Sequence, residues 1–165
     1  MSTSETELVI KCFSAEQLQV CKLVCKLSTP EYAFFCYNTD MTNAEFKIQL
    51  EKRTVAFSVA VLKMLRALPV GFDTRNIRDQ VARSATAVGA NYREANRAES
   101  KSDFLHKISI VAKEASESEY WLLLLNELHP ATTGLQAALT EAGELTRIFD
   151  KIRRTMGTQQ QLVTV

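Results

Sequence analysis

The sequence predicts an all-α protein, an antiparallel up-down-up-down four-helix bundle with an N-terminal extension. Glycine and proline are scarce, at five and three residues in 165, as is typical of helical chains. From residue 43 onwards, apolar residues recur at steps of three, four and seven, which is the spacing of an α-helix. Four such segments of similar length are joined by short connections, which places consecutive helices side by side.

The first two predicted helices have clear limits and one apolar side each. Helix A begins after Thr42, which forms a capping-box pattern with Glu45, and it ends before Pro69 and Gly71. Helix B covers about residues 73–98. The inward side of helix A is predicted to be Phe46, Leu50, Phe57, Val61, Leu65 and Leu68. The inward side of helix B is predicted to be Ile77, Val81, Ala85, Val88, Tyr92 and Ala95.

Helix C is apolar on two sides. It begins after Ser100 or Ser102 and ends near Leu128, before Pro130. One side, made of Phe104, Ile108, Val111, Ala112, Ala115 and Leu122, is predicted to face the core. A second cluster, about 150° away at 100° per residue, is made of Ile110, Trp121, Leu124 and Leu128. We expect a second subunit to cover this cluster, and a wide contact with helix A or D is the alternative.

Helix D is predicted to start with a second capping-box pattern, Thr133 with Gln136, and to lose its order after Gly157. Its predicted apolar side is Leu135, Ala138, Leu139, Ala142, Leu145, Phe149 and Ile152. The predicted organisation is therefore an extension over residues 1–40, a bundle over 41–156 and a flexible tail over 157–165. We expect residues 1–40 to stand outside the native domain, with an arm packed on the bundle as the alternative.

The arginines of helix B supply a candidate partner for the second side of helix C. Arg83, Arg93 and Arg97 surround small residues on the outward side, and guanidinium groups suit carboxylates of a neighbouring subunit. Such a contact joins two different surfaces, so it closes into a ring. The predicted interface residues on helix C are Glu114, Glu117, Trp121, Leu124 and Leu128. The predicted residues on helix B, for either a subunit contact or RNA, are Arg78, Arg83, Arg93 and Arg97.

Two polar residues are predicted to be buried pins that fix the helix register. Glu119 falls within the apolar side of helix C, and Asn91 of helix B is one of its candidate partners. A catalytic acid is the alternative interpretation of Glu119. No other part of the sequence completes an active site around it.

Patterns typical of enzymes and metal proteins are missing from the sequence. Only Asp103 with His106 approximates the Glu-x-x-His spacing of di-iron bundles, and the four cysteines lack paired C-x2-C spacing. The five glycines are scattered singly, so no phosphate loop is predicted. We expect no catalytic residues, no metal, no cofactor and no small-molecule substrate. The N-terminus lacks a basic signal start and no long apolar run occurs, so a soluble cytoplasmic protein without a membrane partner is predicted.

One long stretch of the chain resembles a known family. The run R-S-A-T-A-V-G-A-N-Y-R-E-A-N-R-A-E-S-x-x-D-F-x-x-K-I, the later K-E-A-S-E-S-E-Y-W-L and the earlier L-R-A-L-P are similar to the four-helix bundle proteins, also called 23S ribosomal RNA intervening-sequence proteins. The resemblance covers about residues 41–155. Its signature positions here are Arg83, Ser84, Asn91, Tyr92, Glu94, Ala95, Asp103, Phe104, Glu114, Glu117, Tyr120 and Trp121.

The resemblance implies a homopentamer without an established activity. Some members are encoded in insertions within 23S rRNA genes, and a related bundle is an RNA-binding accessory to a reverse transcriptase, which suggests RNA or an RNA-binding protein as a partner. Our hypothesis is therefore a non-enzymatic oligomer of undefined role that binds RNA through helix B arginines. The alternative is a purely structural oligomer that binds no nucleic acid. With a formal net charge of +1, any attraction to phosphate must come from a local patch.

Overall fold

Four helices form the part of the chain that the computed structural model describes, which is residues 42–68 and 71–162 without the side chains of 72–73 and 158–162. They are α1 (Asn43–Ala67), α2 (Phe72–Ala95), α3 (Lys101–Leu128) and α4 (Leu135–Leu162). No strand occurs in these two ranges, and the all-α class is confirmed. The predicted extension, residues 1–40 with its four cysteines, lies outside the described residues.

Side-chain caps fix the first turns of α1 and α3. The Thr42 N–H donates to Glu45 Oε2 at 2.8 Å, and the Glu45 N–H donates to Thr42 Oγ1 at 3.3 Å, so the predicted capping box is present. At α3, Ser100 Oγ accepts a hydrogen bond from the Asp103 N–H at 3.1 Å. The cap of α3 is therefore Ser100 rather than Ser102. In both places the helix start follows from the local sequence.

The start of α4 differs from the prediction. The pattern Thr133 with Gln136 predicts a capping box, but the helix begins at Leu135. Gly134 precedes it with φ of 82°, in the left-handed region that glycine enters without steric cost. The Leu135 N–H donates to the Thr132 carbonyl at 3.2 Å, so a tight turn takes the place of the predicted cap. The glycine signal outweighs the threonine signal here.

The end of α4 also differs from the prediction. The sequence assigns residues 157–165 to a flexible tail, but α4 continues past Gly157 to Leu162. A single glycine in a helix costs only about 1 kcal/mol, and the residues after it are ordinary helix formers. Gly157 therefore does not end the helix.

The helices surround one core in chain order. Each helix packs against the next one, and α1 also packs against α4. Within the described residues, no backbone contact joins α1 to α3 or α2 to α4. The members of each of these two pairs therefore lie on opposite sides of the core. All six residues predicted for the inward side of α2 are buried.

Aromatic and aliphatic side chains from all four helices fill the core. Phe149 of α4 is fully buried, and its ring centroid lies 5.2 Å from that of Tyr92 on α2. On α3 the predicted inward side is buried apart from Phe104, which is half-buried, and Ser118 and Leu125 are buried as well. Each fully buried large apolar side chain contributes about 1.5–3 kcal/mol to folding, so this core holds the helices in place.

Candidate functional site

Arg83 and Arg93 lie on the outward side of α2, and Arg97 lies in the turn that follows the end of α2 at Ala95. We call these three residues the α2 arginine face. All three are exposed, with the exposed small residues Thr86 and Ala90 between Arg83 and Arg93. At about 1.5 Å per residue, Arg83 and Arg93 lie roughly 15 Å apart along the helix axis. The opposite side of α2 is buried in the core, which fixes the direction in which Arg83 and Arg93 point. The sequence predicts Arg97 within the helix, but the helix ends two residues before it.

Two members of the α2 arginine face have acidic neighbours within the same chain. Arg93 Nε lies 3.9 Å from Glu51 Oε2, and its side chain is 52% exposed, so this ion pair is weak. Arg83 lies close enough to Glu114 of α3 to influence its ionisation. Burial raises the pKa of Glu114, the charge of Glu117 raises it further, and Arg83 lowers it. Part of the complementarity predicted between subunits is therefore met within one subunit.

Arg78 does not belong to the α2 arginine face. Its Nη1 donates to the Leu68 carbonyl at 2.9 Å, and its side chain is half-buried. Five residues before Arg83, it points about 140° away around the helix, toward the end of α1. Arg78 therefore has a partner within the subunit, and its binding of RNA or a second subunit stays a prediction. It satisfies a carbonyl that the end of a helix leaves unpaired.

Trp121 is less exposed than the sequence suggested. Both Trp121 and Leu124 are half-buried and pack against the core, because α3 has α2 on one side and α4 on the other. The Trp121 indole N–H donates to Glu117 Oε1 at 3.2 Å. The alternative of a wide contact within the subunit therefore accounts for these two residues. Leu128, at 46% exposed, is the member of the predicted cluster that this contact leaves uncovered.

Two surfaces expose large apolar side chains among the described residues. We call the first the α1 outer stripe: Ile48, Val55, Val59 and Leu62, which are 38–53% exposed. We call the second the α3 outer patch: Tyr120, Leu123 and Leu128, which are 46–58% exposed, with Leu123 and Leu128 about 140° apart around the helix and Tyr120 between them. The predicted helix A has a single apolar side, so the α1 outer stripe was not predicted. The steps of seven, four and three between its members carried the signal.

The two predicted polar pins are half-buried rather than buried. Asn91 lies at the edge of the core, and Glu119 lies beside Gly143 of α4. A Cβ added at Gly143 would stand 3.0 Å from Glu119 Oε1, so the glycine leaves room for this carboxylate. Both are less buried than the sequence predicts, and their role in fixing the helix register stays a prediction.

A different set of charges is buried between α1 and α4. Arg53 donates from Nε to Glu141 Oε1 at 2.6 Å and from Nη2 to Glu141 Oε2 at 2.9 Å, and Nη2 also donates to Glu144. The side chains are 10%, 13% and 5% exposed. Burial opposes the charge of Arg53, but the two carboxylates outweigh it and raise the guanidinium pKa. The signal for this buried cluster in the sequence is the position of Glu144, which lies four residues before the buried Ile148 and therefore on the same inward side of α4.

The described residues offer little that resembles a catalytic centre. In the ranges 42–68 and 71–162, no three His, Cys, Asp or Glu side chains are grouped to hold a metal ion. An open groove of about 560 Å³ lies between α3 and α4. Asp150 and Arg153, which line it, pair with each other at 3.1 Å, and the Ser109 hydroxyl donates to the Leu105 carbonyl at 2.8 Å. None of the helices in these ranges is both long and apolar enough to span a membrane.

Comparison with known proteins identifies the family. The model of the family described as 23S rRNA-intervening sequence protein matches residues 46–154. A crystal structure from Bacteroides thetaiotaomicron VPI-5482, described as a protein with unknown function from the S23 ribosomal protein family, is 31% identical to the chain. It is matched over 62% of this chain and 96% of its own, with a TM-score of 0.56. No curated protein matches the chain. The resemblance noted from the sequence is thereby confirmed, and the chain belongs to the 23S rRNA-intervening sequence protein family.

Proposed function

We propose that the protein is a cytoplasmic, non-enzymatic helical bundle whose copies assemble into a ring, a pentamer as the family resemblance implies. We further propose that this ring binds RNA, or an RNA-protein partner, through the α2 arginine face. The observation that carries the proposal is the exposure of Arg83 and Arg93 on the outward side of α2 and of Arg97 just after its end. The name of the family, which refers to 23S rRNA, supports RNA over other polyanions.

An antiparallel arrangement of the helices is part of this proposal. The connections between consecutive helices are short, and each helix packs on its neighbour in the chain. Short connections join helices that run in opposite directions, because a parallel neighbour needs a long crossover.

The chemistry of the α2 arginine face suits a phosphate backbone. A guanidinium group donates two parallel hydrogen bonds to phosphate oxygens and stays charged at every physiological pH. One subunit offers a modest patch, since the formal net charge of the chain is only +1. A ring repeats the patch in every subunit, and linked weak contacts give a much higher overall affinity.

Binding of a fluorescent RNA hairpin at two salt concentrations tests the RNA proposal. We expect affinity to fall steeply with salt, because bound phosphates release counterions. The double variant Arg93→Ala/Arg97→Ala should lower the slope of log affinity against log salt by about 1.5 for each contacting subunit. The matched control is Arg153→Ala/Arg154→Ala on α4, whose side chains are 43% and 72% exposed on the side of the core opposite α2.

The alternative is an oligomer that binds no nucleic acid. It is favoured by the acidic neighbours of the arginines, Glu51 at 3.9 Å from Arg93 and Glu114 near Arg83. On this view the arginines only hold α2 against α1 and α3. An assembled protein that does not bind the hairpin at low salt would establish the alternative. If the double variants on α2 and on α4 lost RNA affinity equally, the attraction would be nonspecific, and the proposal that RNA binds at the α2 arginine face would be refuted.

A further inference from the structure

The two exposed apolar surfaces lie on opposite sides of one subunit. The α1 outer stripe spans 14 residues, or roughly 21 Å of helix at about 1.5 Å per residue. The α3 outer patch occupies the last third of α3. No backbone contact joins α1 to α3, because these helices face each other across the core. The two surfaces therefore cannot cover each other within a single subunit.

The charges beside the two surfaces are opposite in sign. Exposed Lys63 and Arg66 lie beside the α1 outer stripe, and residues 55–66 contain no acidic side chain. Exposed Glu117 and Glu127 lie among the apolar residues of the α3 outer patch, and residues 117–128 contain no basic side chain. Surfaces of opposite charge suit each other, since the charges across a contact select the partner and fix its register.

We propose that the α1 outer stripe of one copy packs against the α3 outer patch of the next copy. This inference rests on the proposed self-assembly and names the surfaces that carry it. The contact joins two different surfaces on opposite sides of the subunit, so repeating it leads to a ring or an open chain rather than a closed dimer. It differs from the contact predicted from the sequence, in which the arginines of α2 meet α3.

Two other occupants of the α1 outer stripe are less compatible with the charges. If the stripe packed on the same stripe of another copy, the α3 outer patch would stay exposed, and the basic Lys63 and Arg66 would have no acidic surface of the patch opposite them. Residues 1–41 are a second candidate, but covering the stripe with them would leave the α3 outer patch exposed. The pairing of α1 with α3 covers both surfaces.

Light scattering on the full-length chain tests the inference. We expect the wild-type mass to be a multiple of 18.5 kDa. Each of two double variants, Lys63→Glu/Arg66→Glu and Glu117→Lys/Glu127→Lys, should lower the mass toward that of one chain. Combining all four substitutions restores opposite charges across the contact, so the combined variant should recover the wild-type mass. Circular dichroism checks that the helices persist, and Arg153→Ala/Arg154→Ala on α4 is the control.

Failure of this inference is distinguishable from failure of the proposed function. A wild-type mass equal to one chain would overturn both. If the wild type is an oligomer and both double variants keep its mass, only the contact between α1 and α3 would be overturned. A loss caused by the α1 reversal alone, without recovery in the combined variant, would assign the stripe to residues 1–41 or to another α1. Because all four residues are exposed, a variant that lost its helices would be replaced by Val59→Ser paired with Leu123→Ser.

Discussion

Removal of the Arg53 guanidinium is the sharpest test of how this fold is held together. Arg53 lies between α1 and α4 and holds Glu141 and Glu144 at once. In Arg53→Ala both partly or fully buried carboxylates lose the guanidinium from which they accept hydrogen bonds. Breaking a buried ion pair on one side costs about 3–5 kcal/mol, far more than an intact pair contributes.

The size of the effect follows from the exposure of the three side chains. Glu144 is 5% exposed and Glu141 is 13% exposed, so water reaches the second carboxylate to some extent. We therefore expect Arg53→Ala to lower the free energy of unfolding by about 3 kcal/mol, the lower end of that range. For a folded unit of this size, such a loss lowers Tm by roughly 10 °C.

Urea denaturation followed by circular dichroism measures this loss, with all variants at one protein concentration because assembly adds to apparent stability. Arg154→Ala removes an exposed arginine, 72% accessible and 3.5 Å from Asp150, and should cost less than about 1 kcal/mol. The triple variant Arg53→Met with Glu141→Gln and Glu144→Gln should recover most of the stability, since no charge remains buried. An Arg53→Ala loss no larger than that of Arg154→Ala would refute the reasoning.

Three further predictions concern single positions and use the same denaturation measurement. Gly134→Ala should lower the free energy of unfolding by about 1–2 kcal/mol, because φ at this position is 82°. Gly157→Ala should raise it by about 0.5–1 kcal/mol, because no atom lies within 4 Å of the added Cβ. Changes of the same sign in the two variants would contradict the backbone argument. Thr42→Ala should lose about 1 kcal/mol by removing the cap of α1, and no loss would show that the capping box is dispensable. The folded-state pKa of Glu114 is raised above 4.5, so stability should fall as pH rises above that value; Glu114→Gln should abolish this fall, and Arg83→Ala should deepen it.

The sequence predicts the core and most helix limits because these depend on short-range patterns. Thr42 and Ser100 cap their helices through contacts three residues away, and such contacts are visible in the sequence itself. The buried side of α2 follows from a period that any straight helix must obey. The prediction at Thr133 is wrong because Gly134 competes for the same turn. The sequence pattern alone does not show whether the capping box of Thr133 or the turn at Gly134 forms, and the two exclude each other.

The buried charges escaped the sequence analysis for a different reason. Arg53 and Glu141 are 88 residues apart in the chain, so their contact depends on which helix becomes the neighbour of α1. Glu119 shares the spacing of buried residues, but it lies at the side of α3 where space beside Gly143 admits a carboxylate. Periodicity shows only approximately which side of the helix a residue lies on. The positions of the neighbouring helices then decide whether that side is buried in the core or lies at its edge.

The position of the apolar surfaces bears on the competition between assembly and RNA binding. If subunits met through α2, the same arginines would have to hold both a neighbouring carboxylate and a phosphate. The large exposed apolar side chains of the described residues lie on α1 and α3, whereas the outward side of α2 carries arginines around Thr86 and Ala90. A contact between α1 and α3 would leave the α2 arginine face open in every subunit. Under both proposals, then, Arg93→Ala/Arg97→Ala should weaken RNA binding while the assembled mass stays unchanged, and a fall in mass would place the subunit contact on α2 instead.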